Sequence, residues 1–244
     1  MQAQKVVFLS DDRKVLNVVR LGDTTNSKIA SPKEVILQTY HFDMSQIKFV
    51  ANGGKGTNLK TGFLSPQFTS NNCMSCPMRF KGCYTFHPDQ SKGNLSMIRS
   101  IVRVNPNLEF STYNSEIESK LIEFINHKKF TKKYIRFGTY GCPTNMPIQA
   151  VELLATKVGK WTGYSHEWHN PAKSEYFKYF MASSHSDKSM FNSSLANAYG
   201  FRTFETDSTN GIYCPSYRGV TCANCGLCSG TVGKGKTNIV INKH

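Results

Sequence analysis

Near its C-terminal end the chain reads YCPSYRGVTCANCGLCSG, which sets Cys214, Cys222, Cys225 and Cys228 in the pattern C-P-x6-C-x2-C-x2-C. Free cysteine packs as a small hydrophobe, yet so many thiols on one Gly-bearing loop have no packing reason. The pattern predicts a tail that takes its shape around a metal. Thiolates three residues apart on a curled loop can each reach a different iron of one cube, as in ferredoxin-type ligation, and four of them complete a closed site. Zinc also accepts four thiolates, but its sites more often use two separated C-x2-C knuckles. The spacing favours a 4Fe-4S cluster, with zinc as the alternative.

A second group, CMSCPMRFKGCYTF, holds Cys73, Cys76 and Cys83 as C-x2-C-x6-C. Three thiolates leave one position open: on a cluster, an iron able to bind a substrate or cofactor; on zinc, a site for water. His87 and Cys142 are the candidates to close it. If Cys142 does, the eight cysteines divide into two tetracysteine centres, both structural or electron-carrying. The surrounding loop, about Asn58 to Gln90, is long for a compact domain, and bound metal would explain its order.

Thirty Lys and Arg against sixteen Asp and Glu give a formal charge of +14. Such a field attracts phosphate-bearing partners, so nucleic acid is the leading partner class. No apolar run is long enough to span a bilayer, and the opening MQAQKVVFLSDDRK carries charge on both sides of its apolar patch, unlike an export signal. The expectation is a cytoplasmic protein without a membrane partner, where cysteines serve as metal ligands rather than disulfides. GGKGT at 53–57 lacks the spacing of a phosphate-binding loop, and neither an H-E-x-x-H helix nor a G-x-S-x-G elbow is present.

Residues 1–60 carry the stretches KVVFL, KVLNVVRL, EVILQTYHF and IKFVANGG between polar turns, and read as a β-rich segment. Residues 61–244 then alternate. Helices are predicted over 94–104, 115–129, 148–158 and around 190–200, and strands at LEFST (108–112), YIRFGTY (134–140), TGYSH (162–166), KYFMASS (178–184) and FRTFET (201–206), with TNIVIN as a last strand. This order predicts an α/β fold, a complete or partial (β/α) barrel with an N-terminal β-rich extension and a cysteine-rich metal-binding tail. Chemistry in such folds gathers where strands end. That draws attention to Tyr140, Gly141 and Cys142, to the HEWH cluster of His166, Glu167, Trp168 and His169, and to His185. The HEWH cluster could bind a phosphate, stack a base on Trp168 or supply a general acid-base pair through a histidine; against this, Trp168 is expected to plug the barrel mouth, and His166 either faces the site or belongs to that loop. Arg136, Arg202 and Arg218 could hold an anionic substrate by forked hydrogen bonds.

YIRFGTYGCPTNMP resembles the GGEP-type motif after the second strand of radical-SAM enzymes, with Tyr140, Gly141, Cys142 and Pro143 in place of Gly-Gly-Glu-Pro. The resemblance implies a related barrel and an open 4Fe-4S cluster able to bind S-adenosylmethionine, with Tyr140, Gly141 and His166 near the cofactor. Two departures weaken the radical chemistry: the cysteines are not spaced C-x3-C-x2-C, and the motif's carboxylate is absent. From about residue 70 to the end, the blocks IRFGTYGCP, KWTGYSHEW, YFMASSHS, YGFRTFET, the cysteine tail and NIVINKH resemble, in that order, the phage protein family named for gene product 88. Its members usually have an acidic residue where this chain has Cys142. The resemblance implies a phage-encoded metalloprotein. The expectations are an iron-sulfur protein, either a radical-SAM-like enzyme acting on an anionic macromolecule, a DNA- or RNA-binding protein with structural metal sites, or a phage assembly component.

Overall fold

The computed structural model describes residues 5–24, 26–55, 88–185, 192–206 and 208–242. Cys73, Cys76, Cys83 and His87 lie outside the described residues. The fold is α/β with two five-stranded sheets. In the first, β1 (Lys5–Leu9), β2 (Val15–Gly22) and β3 (Ile36–Asp43) form an antiparallel meander. β3 then pairs in parallel with β4 (Ile135–Tyr140), and β4 with β5 (Trp161–Thr162). The N-terminal strands therefore share a sheet with the later part of the chain. They share a core too, since Val6, Phe8 and Val19 pack with Leu121 of α3 (Ser115–Ile125) and Leu154 of α4 (Ile148–Val158).

Two expected strands are not strands, for local reasons. IKFVANGG falls in helix α1 (Met44–Ala51), because Asp43 ends β3 by capping the helix. Its carboxylate accepts from the Ser45 amide at 2.9 Å, and Gln46 Oε1 accepts from the Asp43 amide at 3.1 Å. LEFST makes a single bridge, Thr112 to Leu9, and Leu108 takes a positive φ of 55° that bends the chain away from extension. The helix expected over 94–104 is present and longer, as α2 (Pro88–Val104), and packs Ile98 and Ile101 against Phe42 and Ile47.

The second sheet is parallel throughout, in the order β6 (Tyr164–Ser165), β7 (Met181–His185), β8 (Thr203–Thr206), β10 (Ile239–Ile241), β9 (Ile212–Tyr213). Helix α5 (Ser193–Ala198) covers it through Ala196, which joins Trp168, Ala182 and Phe201. The barrel expectation is corrected here: among the described residues no barrel closes. TGYSH, expected as one strand, divides at Gly163, so that Thr162 belongs to the first sheet and Tyr164 to the second. The Gly163 amide donates to the carbonyl of Cys228 at 3.1 Å, and its carbonyl accepts from Met181 at 3.0 Å. A Cβ at Gly163 would run into the Phe180 ring. Only glycine allows the cysteine tail to enter at this handover between sheets.

Beneath the turn after β4 lies a buried polar chain. His41 Nδ1 is 2.7 Å from Asn17 Oδ1, and its Nε2 is 2.9 Å from Thr39 Oγ1, which also accepts from the Gly138 amide at 2.9 Å. Asn17 Oδ1 can only accept, so Nδ1 carries the proton and Nε2 accepts from the Thr39 hydroxyl. Gly141, at φ 75°, passes so close that a Cβ there would meet the His41 carbonyl oxygen. Burial pushes the His41 pKa down from 6.5 to about 3. The unfolded chain then binds a proton that the folded chain refuses between those two pH values. Stability should be fully present above about pH 6.5 and fall as pH drops toward 3, by about 1.4 kcal/mol per pH unit of separation. Denaturant unfolding of wild type and His41→Gln over this window checks it: the variant should lose the acid dependence, and an unchanged slope would contradict the assignment.

Candidate metal centre

The tail approaches from three anchors. Cys214 is fixed by its amide, which donates to Val240 of β10 at 2.9 Å, and it opens a short 3-10 turn, Pro215–Arg218. Cys222 begins the short helix α6 (Cys222–Cys225); its amide donates to Lys28 and that of Ala223 to Ile29, both at 2.8 Å. Ala223 is buried against Ile29, Ile36 and Tyr134. Gly226, in the left-handed conformation, ends the helix and turns the chain toward Cys228. Cys228 is 5% exposed and held at the sheet junction by Gly163.

Arg202, at the foot of β8, secures this last cysteine. It is 7% exposed. Its Nη1 donates to the carbonyls of Leu227 at 3.1 Å and Ser229 at 2.5 Å, the two residues flanking Cys228, and its Nε and Nη2 donate to Thr237. No carboxylate among the described residues lies within ion-pair distance of this buried guanidinium. A charge removed from water is normally paired. Here the titratable group that acts on it electrostatically is the Cys228 thiol.

All four cysteines line one cavity, together with Thr162, Ser216, Val220, Gly226 and Leu227. The Tyr134 hydroxyl bonds Thr162 Oγ1 at 2.6 Å on one wall. Burial, then repulsion from Cys214 and Cys225, pushes the Cys222 thiol up to about 11, and burial raises Cys228 as well. Thiols so placed ionise together only when a cation shares the cavity. Among the described residues no three His, Cys, Asp or Glu side chains are drawn together to hold a single ion.

Cys142 lies elsewhere. It is buried, with Sγ 3.2 Å from Thr144 Oγ1 and 3.6 Å from Ser165 Oγ, and Thr144 in turn donates to Glu167 Oε2 at 3.0 Å. Burial, reinforced by the Glu167 charge, raises its pKa. Tyr140 points into the core, its ring 5.0 Å from that of Phe42 and its hydroxyl accepting from Gln46 at 2.8 Å. Gly141 is explained by the close approach to His41, and His166 is half-buried. Trp168 is fully buried and donates to the Ser183 carbonyl at 3.1 Å; with no barrel mouth to plug, it packs with Ala182, Ala196 and Phe201 against the second sheet. Of the three arginines, Arg218 is exposed, Arg136 is half-buried, and Arg202 has its donors committed to backbone. Sequence reasoning missed Thr162, Tyr134 and the Lys28 segment as walls and anchors of the cavity; none carries a motif.

No protein-family model matches this chain, and no curated protein or solved structure is significantly similar to it. Substitutions separate the two groups of cysteines. Cys225→Ala and Cys228→Ala should each abolish metal at the tail, read by elemental analysis of the purified protein. Cys142→Ala should keep the tail metal and cost about 1 kcal/mol for its lost hydrogen bonds. Loss of the tail metal in Cys142→Ala would contradict this placement. A second metal lost while the tail metal stays would assign Cys142 to the Cys73–Cys83 loop.

Proposed function

We propose that the protein is an iron-sulfur protein, of the phage type that its sequence blocks resemble, in which Cys214, Cys222, Cys225 and Cys228 hold one 4Fe-4S cluster and the positive surface binds nucleic acid. The observation that carries the reading is the buried Arg202, without a carboxylate partner, beside a cavity walled by four thiols. A cluster with four thiolate ligands is a net anion, so the guanidinium offsets its charge while fixing the loop that presents Cys228. One further observation favours a cluster over one zinc ion. The C-x2-C-x2-C spacing sends neighbouring thiolates to different irons.

Bound there, the cluster supplies an electron-carrying or structural group, closed to substrate by its four protein ligands. What the chain's own residues do is clearer: Arg202 and Gly163 position Cys228, Lys28 and Ile29 position Cys222, and β10 positions Cys214. The radical-SAM-like reading, with S-adenosylmethionine on an open iron, would belong to Cys73, Cys76 and Cys83, outside the described residues. No helix among the described residues is long and apolar enough to cross a membrane. The charge of +14 supports a nucleic-acid partner.

Anaerobic purification followed by iron, inorganic sulfide and zinc analysis tests the metal claim. Iron and sulfide in equal amounts support it; zinc without sulfide overturns it. Arg202→Met should lower the retention of the tail metal against a chelator about 10- to 100-fold, the usual cost of losing an outer-shell partner. Retention equal to that of wild type would show that the guanidinium does not serve the site.

A further inference from the structure

Five of the nine large apolar side chains exposed among the described residues fall between 212 and 232, a concentration along the chain instead of the usual scatter. Tyr213 is 60% and Tyr217 45% exposed, and Ile212, Val220 and Val232 of the same stretch are exposed too. Val220 also lines the cysteine cavity, so this stretch borders the cavity's rim. Tyr213 directly precedes Cys214 on the edge strand β9.

The same stretch of chain is basic. Between residues 208 and 242 the sequence contains Arg218, Lys234 and Lys236 and not one Asp or Glu. Lys28 Nζ stands 5.9 Å from the Tyr217 ring, and Lys160 reaches the Asn224 carbonyl of α6 at 3.3 Å. Among the described residues none of these five cations lies within ion-pair distance of a carboxylate. Exposed aromatic faces set among unneutralised cations form a surface on which bases stack while the backbone is held by charge.

We propose that this rim binds single-stranded nucleic acid, with Tyr213 and Tyr217 as stacking platforms and Lys28 and Arg218 meeting phosphates. The proposal rests on the reading that the protein binds nucleic acid, and it names where and in which form. A duplex keeps its base faces stacked internally, so rings at this rim discriminate in favour of a single strand. An acidic protein would satisfy the charges but would leave the rings without bases to stack on.

The test is fluorescence anisotropy of the full chain with a labelled oligothymidine, against a duplex of equal length and with polyglutamate as competitor. Wild type should prefer the single strand. Tyr213→Ala and Tyr217→Ala should each weaken binding about 5- to 100-fold, the equivalent of 1–3 kcal/mol per stacked base. Tyr217→Phe should bind as wild type, because it keeps the ring and loses only the hydroxyl that accepts from the Asn242 amide at 2.9 Å. Replacing Lys28 and Arg218 with Gln should reduce the salt slope by about 1.4. No binding by wild type would overturn the nucleic-acid reading itself. Binding unchanged in both Tyr→Ala variants would overturn the rim while leaving that reading intact. Equal affinity for duplex, or displacement by polyglutamate that is itself weakened in the Tyr→Ala variants, would point to another partner and overturn the proposal. Iron content, measured on the same samples, reports the metal claim separately, since no substituted residue is a proposed ligand.

Discussion

The hydrogen bonds from Arg202 to the carbonyls of Leu227, Ser229 and Thr237 hold the cysteine tail to the second sheet. A loop that must present thiols inward leaves its carbonyls facing the protein, where each needs a donor. One guanidinium supplies donors to three of them from a single side chain. That economy brings a positive charge into the interior, which becomes tolerable when an anion stands beside it. The fold and the charge balance of the cavity therefore depend on the same residue.

The second constraint is the handover at Gly163. A strand continuing through this point would have joined the two sheets into one surface. The chain instead gives up one ladder position, and the amide freed there donates to Cys228. The cysteine cavity thus opens at the seam between the sheets, with Thr162 on its wall and Tyr164 on the far side of the break. Seams of this kind place backbone polar groups and glycine where a ligand can approach. The first sheet contributes rigidity from beneath: the Asn17–His41–Thr39 chain and the tight passage at Gly141 lock β2, β3 and β4 together.

Much of this was legible in the sequence, and what was missed shares a cause. The apolar runs of β1 to β4 and the helical periodicity of α3 and α4 reflect burial of whole faces, a signal that residue type carries directly. IKFVANGG misled because β-branched apolar residues fit both states, although the Asp43 and Gln46 capping pair just ahead of it was the available clue. The division of TGYSH had only Gly163 to announce it. The thiol pattern of the tail was plain from spacing. The role of Arg202 was not, because its acceptors lie 25 to 35 residues away and are backbone carbonyls, which no sequence pattern marks.

Metal-edge X-ray absorption of the anaerobically purified chain addresses the central claim most directly, since it sees both the sulfur shell and any neighbouring metal. The account predicts absorption at the iron edge with sulfur neighbours and a second shell of iron. A zinc edge with four sulfurs and no metal beyond them, or a folded chain with neither metal, would contradict it.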